Sequence, residues 1–139
     1  MAIQDDLFEC AIKAKERAYA PFSRFKVGAA ILTKSGKLYS GCNIETSSYS
    51  LTICAERLAV FKAISEGEKS FRAVAISTSS DDFCPPCGAC RQVLWDLARD
   101  IDVFLVQDRK TYQKFRLADL FPKAFDQGYL IHDKGKQTG

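Results

Sequence analysis

The residues in this chain that could do chemistry are its cysteines. Six of its 139 residues are cysteine, and they are spread over the first two thirds of the sequence: Cys10, Cys42, Cys54, Cys84, Cys87 and Cys90. The acidic N-terminal residues do not form a basic-then-apolar leader, so we expect a reducing, cytoplasmic location. Cysteines in such a compartment are more often metal ligands, catalytic groups or core residues than disulfides.

Two short motifs place cysteines in the same local setting. They are Cys54-Ala55-Glu56 and Pro86-Cys87-Gly88-Ala89-Cys90. Each motif stands at the predicted N-terminus of a helix that follows a strand. Helical crossovers between strands bring such N-termini to one edge of the sheet, so Cys54 is expected close to Cys87 and Cys90. Because Cys87 and Cys90 are one helical turn apart, their side chains face the same way.

Three converging thiolates suit a zinc ion with an open fourth position, which is the arrangement of a catalytic site. The positive ends of two helix dipoles favour the thiolate form, and Arg57 or Arg91 is placed to offset the negative charge. Glu56 would reach a water molecule that the metal activates, in the role of general base and proton shuttle. We therefore predict one Zn²⁺ per chain, with three ligands: Cys54, Cys87 and Cys90.

Other interpretations of the cysteines remain open from spacing alone. Cys87 and Cys90 could be a redox pair. Cys84 forms a second C-x-x-C with Cys87 and could close the site as a fourth ligand to a structural zinc. Two intervening prolines hold Cys84 away from the helix, which argues against that closed site. Cys10 and Cys42 are interpreted as buried apolar residues.

Hydrophobic periodicity predicts the elements that must position these residues. We predict helices at about 3–19, 54–66 and 87–99, strands at 27–33, 38–44, 73–76, 103–106 and 112–117, and a helical turn near Leu120. This order is typical of an α/β sandwich around a mixed sheet of about five strands. Residues 1–139 are predicted to form a single domain, with the tail from about residue 129 frayed or on the surface.

Composition and charge exclude several classes of protein. The chain is 47% hydrophobic and 27% charged, which excludes a disordered chain, a collagen and a coiled coil. It has no apolar run near the ~20 residues that a membrane helix needs. A net charge of +3 is too weak to indicate nucleic-acid binding. The single histidine, His132, lies in the tail, which argues against chemistry that needs a central imidazole.

Five ordered blocks resemble the small zinc-dependent cytidine deaminases of the homotetrameric kind. The blocks are residues 19–23, 25–30, 41–45, 54–57 and 86–92. The resemblance implies a three-layer α/β/α sandwich and a homotetramer with active sites at subunit interfaces. It also implies zinc-dependent hydrolytic deamination of cytidine and deoxycytidine to uridine and deoxyuridine, with release of ammonia, in pyrimidine salvage. The spacing of the cysteines and Glu56 matches the known signature of zinc nucleobase deaminases, in which three cysteines are a permitted ligand set.

The resemblance also implies roles for individual residues. The three cysteines would bind zinc, Glu56 would pass protons to N3 and the leaving amine, and Arg57 would donate to the ligand thiolates. The residues implied in substrate binding are Asn43 and Glu45 at the ribose, chiefly its 3′-hydroxyl, Phe25 and the Ala55 backbone at the base, Tyr49, and Phe125 from a neighbouring subunit. Alternatively, Phe25 and Phe125 could be core residues, and Asn43 and Glu45 could be solvated.

Three rival functions remain open at this point. The same scaffold could deaminate another cytosine-bearing nucleoside. It could also act on cytosine in RNA, although the basic residues at 109–116 are interpreted as a solvated strand–turn face. A non-enzyme alternative is a structural zinc or redox module that uses Cys84. The segment 46–49 and Cys84 depart from the family pattern, but neither touches a predicted ligand or Glu56.

Overall fold

A five-stranded mixed sheet forms the centre of the protein. The structure is a computed structural model that describes residues 2–130. The strands are β1 (Val27–Thr33), β2 (Leu38–Cys42), β3 (Phe71–Thr78), β4 (Asp102–Val106) and β5 (Tyr112–Arg116), in the spatial order β2-β1-β3-β4-β5. β1 is antiparallel to β2 and β3, β3 is parallel to β4, and β4 is antiparallel to β5. The predicted mixed sheet is therefore confirmed.

Helices cover both faces of this sheet, which gives the three-layer arrangement that the resemblance implies. They are α1 (Ala2–Lys15), α2 (Ala55–Ser65), α3 (Gly88–Ala98) and the short α4 (Leu117–Leu120). Two 3₁₀ turns occupy Tyr49–Leu51 and Gln127–Tyr129. Within residues 2–130, no helix is both long and apolar enough to span a bilayer.

The central strands are apolar almost throughout because both of their faces are buried. In β1, Ala29 and Ile31 pack in the cluster that includes α2 and α3, whereas Ala30 and Leu32 pack in the cluster that includes α1. Phe8 of α1 is fully buried and meets Phe104 edge to face, with their ring centroids 5.1 Å apart. The sheet is therefore packed against helices on both of its faces.

The predicted boundaries are wrong at several points. The first helix ends at Lys15 rather than near 19, because Tyr19 pairs with a distant segment: its N–H donates to the Asn43 carbonyl (2.9 Å), and its carbonyl accepts from Glu45 N–H (2.8 Å). β2 ends at Cys42, and β3 begins earlier than predicted, at Phe71. Tertiary pairing of this kind leaves no trace in local periodicity.

The C-terminal prediction can be followed only in part. Residues 129 and 130 are exposed, as expected for a surface tail. Residues 131–139, including His132, lie outside the described residues. The prediction of a single domain over residues 1–139 stays a prediction.

Gly41 brings β2 unusually close to α2. A Cβ atom at this position would lie 2.4 Å from the Ala55 carbonyl oxygen and 2.6 Å from the Ala59 nitrogen. We expect Gly41→Ala to lower the free energy of unfolding by about 1–3 kcal/mol, because two backbones must separate. Urea denaturation measures the change. Gly88→Ala is the control, since a Cβ there meets nothing within 4 Å. An unchanged midpoint for Gly41→Ala would contradict the close contact.

Candidate active site

The N-termini of α2 and α3 meet at one edge of the sheet. Cys54 is the N-cap of α2 and Cys87 is the N-cap of α3, and both have extended backbone dihedrals. Their carbonyls accept the first helical hydrogen bonds, from Leu58 N–H and Arg91 N–H, each at 3.0 Å. Neither side chain makes a capping hydrogen bond, so both thiols are free for other partners. Cys90 follows in the first turn of α3 and is fully buried.

The three thiols form a compact group that fits a zinc ion. The sulfur atoms of Cys54, Cys87 and Cys90 all lie within 4.8 Å of one another, and those of Cys54 and Cys87 are 3.8 Å apart. Tetrahedral zinc with Zn–S bonds of about 2.3 Å separates two thiolates by roughly 3.8 Å. Cys84 lines the same cavity but is not part of this sulfur group. The donor set is therefore three thiolates, which leaves a fourth position open.

Arg57 is the cation at this group. Its Nη2 atom donates to Cys54 Sγ and to the Thr52 carbonyl, each at 3.4 Å, and its Nε atom is buried without a partner. Arg91, the other candidate, instead donates to the carbonyls of Pro86 (2.8 Å) and Leu120 (2.7 Å). Arg91 therefore fixes the backbone on both sides of α3 rather than the charge of the sulfurs.

The electrostatics of the group favour a thiolate at Cys54. A hydrogen bond from Cys90, and then the Arg57 guanidinium, lower the pKa of Cys54 to about 5. The same hydrogen bond, together with burial, raises the pKa of Cys90. Cys54 is therefore ready to bind a cation at neutral pH.

Glu56 lies beside the sulfurs with its carboxyl group removed from water. The residue is 5% exposed and lines the cavity together with Cys54 and Cys87. Burial raises the pKa of Glu56 to about 7. A carboxyl group with such a pKa can both accept and release a proton near neutrality, as a general acid–base group must.

The cavity beside the sulfurs has a volume of about 280 Å³. That is close to the lower end of ligand pockets, roughly 300 Å³, and suits one small molecule. Eight residues singled out in the sequence line it: Phe25, Asn43, Glu45, Cys54, Ala55, Glu56, Cys84 and Cys87. The fold thus brings residues from the segment after β2, the two helix N-termini and the segment before β1 into one site.

Asn43 and Glu45, which both line the cavity, are held by hydrogen bonds to the segment before β1. Asn43 Nδ2 donates to the Phe25 carbonyl (2.7 Å), and Asn43 Oδ1 accepts from Val27 N–H (2.8 Å). Glu45 Oε1 accepts from the N–H groups of Phe22 (2.9 Å) and Ser23 (3.1 Å), and Oε2 accepts from the Ser23 hydroxyl. The Ser23 hydroxyl, foremost among these groups, lowers the pKa of Glu45. A fixed amide and a fixed carboxylate therefore line the cavity.

Two residues singled out in the sequence lie elsewhere. Tyr49 is exposed, packs its ring 5.9 Å from that of Phe22, and lines an adjoining cavity of about 300 Å³ that also includes Glu45. Phe125 is 53% exposed and stacks on Tyr129 with the ring centroids 5.5 Å apart. Phe125 therefore does not cap the core of its own chain, and it does not line the cavity of its own chain.

Several residues that line the cavity were missed in the sequence. They include Ser23, Thr52 and Thr78. Thr78 ends β3, so the rule that ligands bind at the carboxyl edge of strands could have found it. Ser23 and Thr52 lie in irregular segments, for which residue type and spacing give no comparable signal.

Known proteins are similar to this chain over most of its length. Residues 1–106 match the family model for the cytidine and deoxycytidylate deaminase zinc-binding region. A cytidine deaminase of Sporosarcina psychrophila is 46% identical over 121 residues, which cover 86% of this chain and 89% of the relative. A probable cytidine deaminase of Dictyostelium discoideum is 44% identical over 133 residues, which cover 92% of this chain and 89% of the relative.

Solved structures agree in fold. The crystal structure of cytidine deaminase from Burkholderia pseudomallei aligns with a TM-score of 0.82 at 43% identity, covering 86% of this chain and 97% of that chain. A cytidine deaminase from Mycobacterium tuberculosis aligns with a TM-score of 0.75 at 38% identity, covering 86% of this chain and 94% of that chain. The chain belongs to the family of the cytidine and deoxycytidylate deaminase zinc-binding region.

Proposed function

We propose that this protein is a zinc-dependent cytidine deaminase, which converts cytidine and deoxycytidine to uridine and deoxyuridine with release of ammonia. The observation that carries the proposal is the composition of one small cavity. A three-thiol group and a buried carboxyl group with a pKa of about 7 meet a fixed amide and a fixed carboxylate at this cavity. The thiol group and Glu56 suit hydrolysis at a nucleobase, whereas Asn43 and Glu45 suit the binding of a sugar.

Cys54, Cys87 and Cys90 would hold the zinc, with Arg57 reducing the negative charge of the Cys54 thiolate. Zinc supplies Lewis-acid chemistry there, which lowers the pKa of a water molecule. Glu56 would take one proton from the attacking water and pass it to N3. It would then take the second proton, from the new hydroxyl on C4, and pass it to the amino group, which leaves as ammonia. Burial of Glu56 matches this role, because the same carboxyl group must act first as a base and then as an acid.

The remaining cavity residues would hold the nucleoside. Asn43 and Glu45 offer a donor and an acceptor to the ribose hydroxyls. Phe25 is 37% exposed at the cavity wall, where its ring can meet the flat face of the base. Ala55 begins α2, and the first N–H groups of a helix have no intrahelical acceptor. The Ala55 N–H is therefore available to a polar edge of the pyrimidine.

Charges at the surface do not favour the RNA alternative. Of the basic residues at 109–116, Arg109 pairs with Glu9 (3.1 Å), and Lys114 and Arg116 pair with Asp102 (3.8 and 2.8 Å). These cations are compensated by carboxylates, and the cavity holds one small molecule rather than a strand. The remaining enzyme alternative is deamination of another cytosine-bearing nucleoside. Comparing the rate for cytidine with the rates for a panel of modified cytosine nucleosides tests it.

A homotetramer with shared active sites is part of the same proposal. Large apolar side chains lie exposed on residues near the cavity and on the C-terminal segment, and such side chains favour an interface. They include Phe22, Tyr49, Leu51, Phe125 and Tyr129. Phe125 would then reach the site of a neighbouring subunit. Sedimentation of the purified protein tests this assembly, and a stable, active monomer would contradict it.

Location and pathway complete the proposal. All six cysteines are free thiols, which suits the reducing conditions of the cytoplasm. Conversion of a cytosine nucleoside to a uracil nucleoside is a step of pyrimidine salvage. Residues 1–139 would work as one domain built around the single sheet.

The test combines ultraviolet absorbance of cytidine with metal analysis of the same freshly reduced protein. We expect the cytidine band to decay and about one zinc per chain to be found. Zinc without turnover of cytidine would indicate that the substrate is another cytosine-bearing nucleoside, or that the zinc site is not catalytic. Absence of both zinc and turnover would overturn it.

A further inference from the structure

Ser23 lies at the junction of two groups that face the cavity. Its hydroxyl donates to Glu45 Oε2 and accepts from Phe25 N–H at 3.0 Å. Its own N–H donates to Glu45 Oε1 at 3.1 Å. Ser23 also lines the cavity itself. Nothing in the mechanism above uses this serine.

The bonds of the Ser23 hydroxyl fix its direction. A serine hydroxyl has one proton to donate. The Phe25 N–H occupies a lone pair of the hydroxyl oxygen, and the single proton points to the Glu45 carboxylate. Ser23 therefore acts as a dedicated donor to Glu45, with its orientation set by the peptide that also carries the Phe25 ring.

This arrangement determines which part of Glu45 is left for a ligand. A carboxylate has about four lone-pair positions. Three are occupied by Phe22 N–H, Ser23 N–H and the Ser23 hydroxyl, so one acceptor position remains. Without the Ser23 hydroxyl, Glu45 would keep only the two hydrogen bonds to Oε1. The other carboxylate oxygen, Oε2, would then be free to rotate.

We propose that Ser23 is a positioning residue for substrate, which holds the Glu45 carboxylate so that its remaining acceptor position faces a sugar hydroxyl. The inference rests on the proposed function and deepens it, because it assigns recognition of the 3′-hydroxyl to a pair of residues rather than to Glu45 alone. It applies to binding and not to the chemical step, since Ser23 contacts neither Glu56 nor the sulfurs in the described hydrogen bonds.

The loop that carries Ser23 depends on these side-chain bonds. Residues 20–26 form neither helix nor strand, and Arg24 has a left-handed φ of 60°, which is unfavourable for a residue with a side chain. Beside Ser23, the Lys26 N–H donates to the Ser79 hydroxyl at 3.1 Å. Ser79 thus makes the same kind of bond to the same loop but has no contact with Glu45, so it offers a matched control.

The experiment compares Ser23→Ala, Ser23→Thr and Ser79→Ala with the parent protein. The readouts are KM and kcat for cytidine, and the inhibition constant of 3′-deoxycytidine against cytidine deamination. For Ser23→Ala we expect KM for cytidine to rise about 10-fold, the factor for one well-made hydrogen bond, with kcat within about 2-fold of the parent. The inhibition constant of 3′-deoxycytidine should change by less than about 3-fold, because that ligand lacks the hydroxyl in question.

Rescue and failure are distinct outcomes. Ser23→Thr keeps a hydroxyl and should restore KM for cytidine, and Ser79→Ala should leave all three readouts unchanged. Equal losses for cytidine and 3′-deoxycytidine, or equal losses in Ser23→Ala and Ser79→Ala, would overturn the positioning role. If the parent protein does not deaminate cytidine, the proposed function fails; if the parent does and Ser23→Ala behaves like it, only this inference fails.

Discussion

A Glu56→Gln variant is expected to keep its fold and its zinc while deaminating cytidine about 10²–10⁴ times more slowly than the parent. Glutamine has nearly the same shape as glutamate but has no proton to exchange at its side-chain oxygen. Glu56 is only 5% exposed, so bulk water is a poor replacement for it in the transfer. The measurement is kcat from the absorbance of cytidine, with metal content and thermal melting recorded on the same sample.

Glu66→Gln is the matched control for this variant. Glu66 is the C-cap of the same helix, α2, and is exposed at the end opposite Glu56. The exchange is chemically identical, so any loss caused only by the removal of one negative charge from the protein would appear in both variants. Turnover of Glu56→Gln within a few-fold of the control would refute the proton-transfer role. Loss of zinc from Glu56→Gln would assign the residue to the metal instead.

Cys87→Ser is expected to lose most of its zinc and, with it, the activity. Cys87 is exposed, so this exchange leaves the core intact, unlike one at the buried Cys90. A neutral hydroxyl is a far weaker ligand than a thiolate. Changing even the residues that support a ligand costs about 10–100-fold in metal affinity, so removing a ligand should cost more. Metal analysis after gel filtration measures the loss of zinc.

The Cys84→Ser variant distinguishes a catalytic site with three thiolates from a structural site with four. Cys84 lines the same cavity but lies outside the sulfur group, so its variant should keep the zinc content and melting temperature of the parent. Chelation of the parent should lower its melting temperature towards that of Cys87→Ser, because bound metal stabilises the folded state. Equal zinc loss in Cys84→Ser and Cys87→Ser would indicate a structural site with four thiolates.

The sequence was sufficient to predict the parts of this site that follow from general rules of topology. Two cysteine motifs at the starts of helices that follow strands must meet at one sheet edge, and Cys54 and Cys87 do so at 3.8 Å. The chain order likewise predicted a mixed sheet with helices on it. These predictions need only the sequence of elements, and not their exact ends.

The irregular segments were beyond such rules. The end of α1 was misplaced because Tyr19 bonds to the segment around Asn43, a pairing between positions far apart in sequence. The dual attachment of Glu45 to Ser23 was missed for the same reason, since neither residue lies in a periodic element. The role of Phe125 concerns a second chain, about which neither the periodicity nor the fold of one chain is informative.

The proposed ligands come from two separate crossovers, and this has a consequence for how the protein is made. Cys54 begins α2, whereas Cys87 and Cys90 begin α3, and all of β3 lies between them in the chain. During synthesis the first thiol emerges well before its partners, and it can share a metal with them only after β3 has joined the sheet. We therefore expect binding of one zinc ion by all three thiolates to follow the docking of β3. In a preparation of this protein, the fraction of chains with tightly bound zinc should therefore equal the fraction in which β3, the central strand, has joined the sheet.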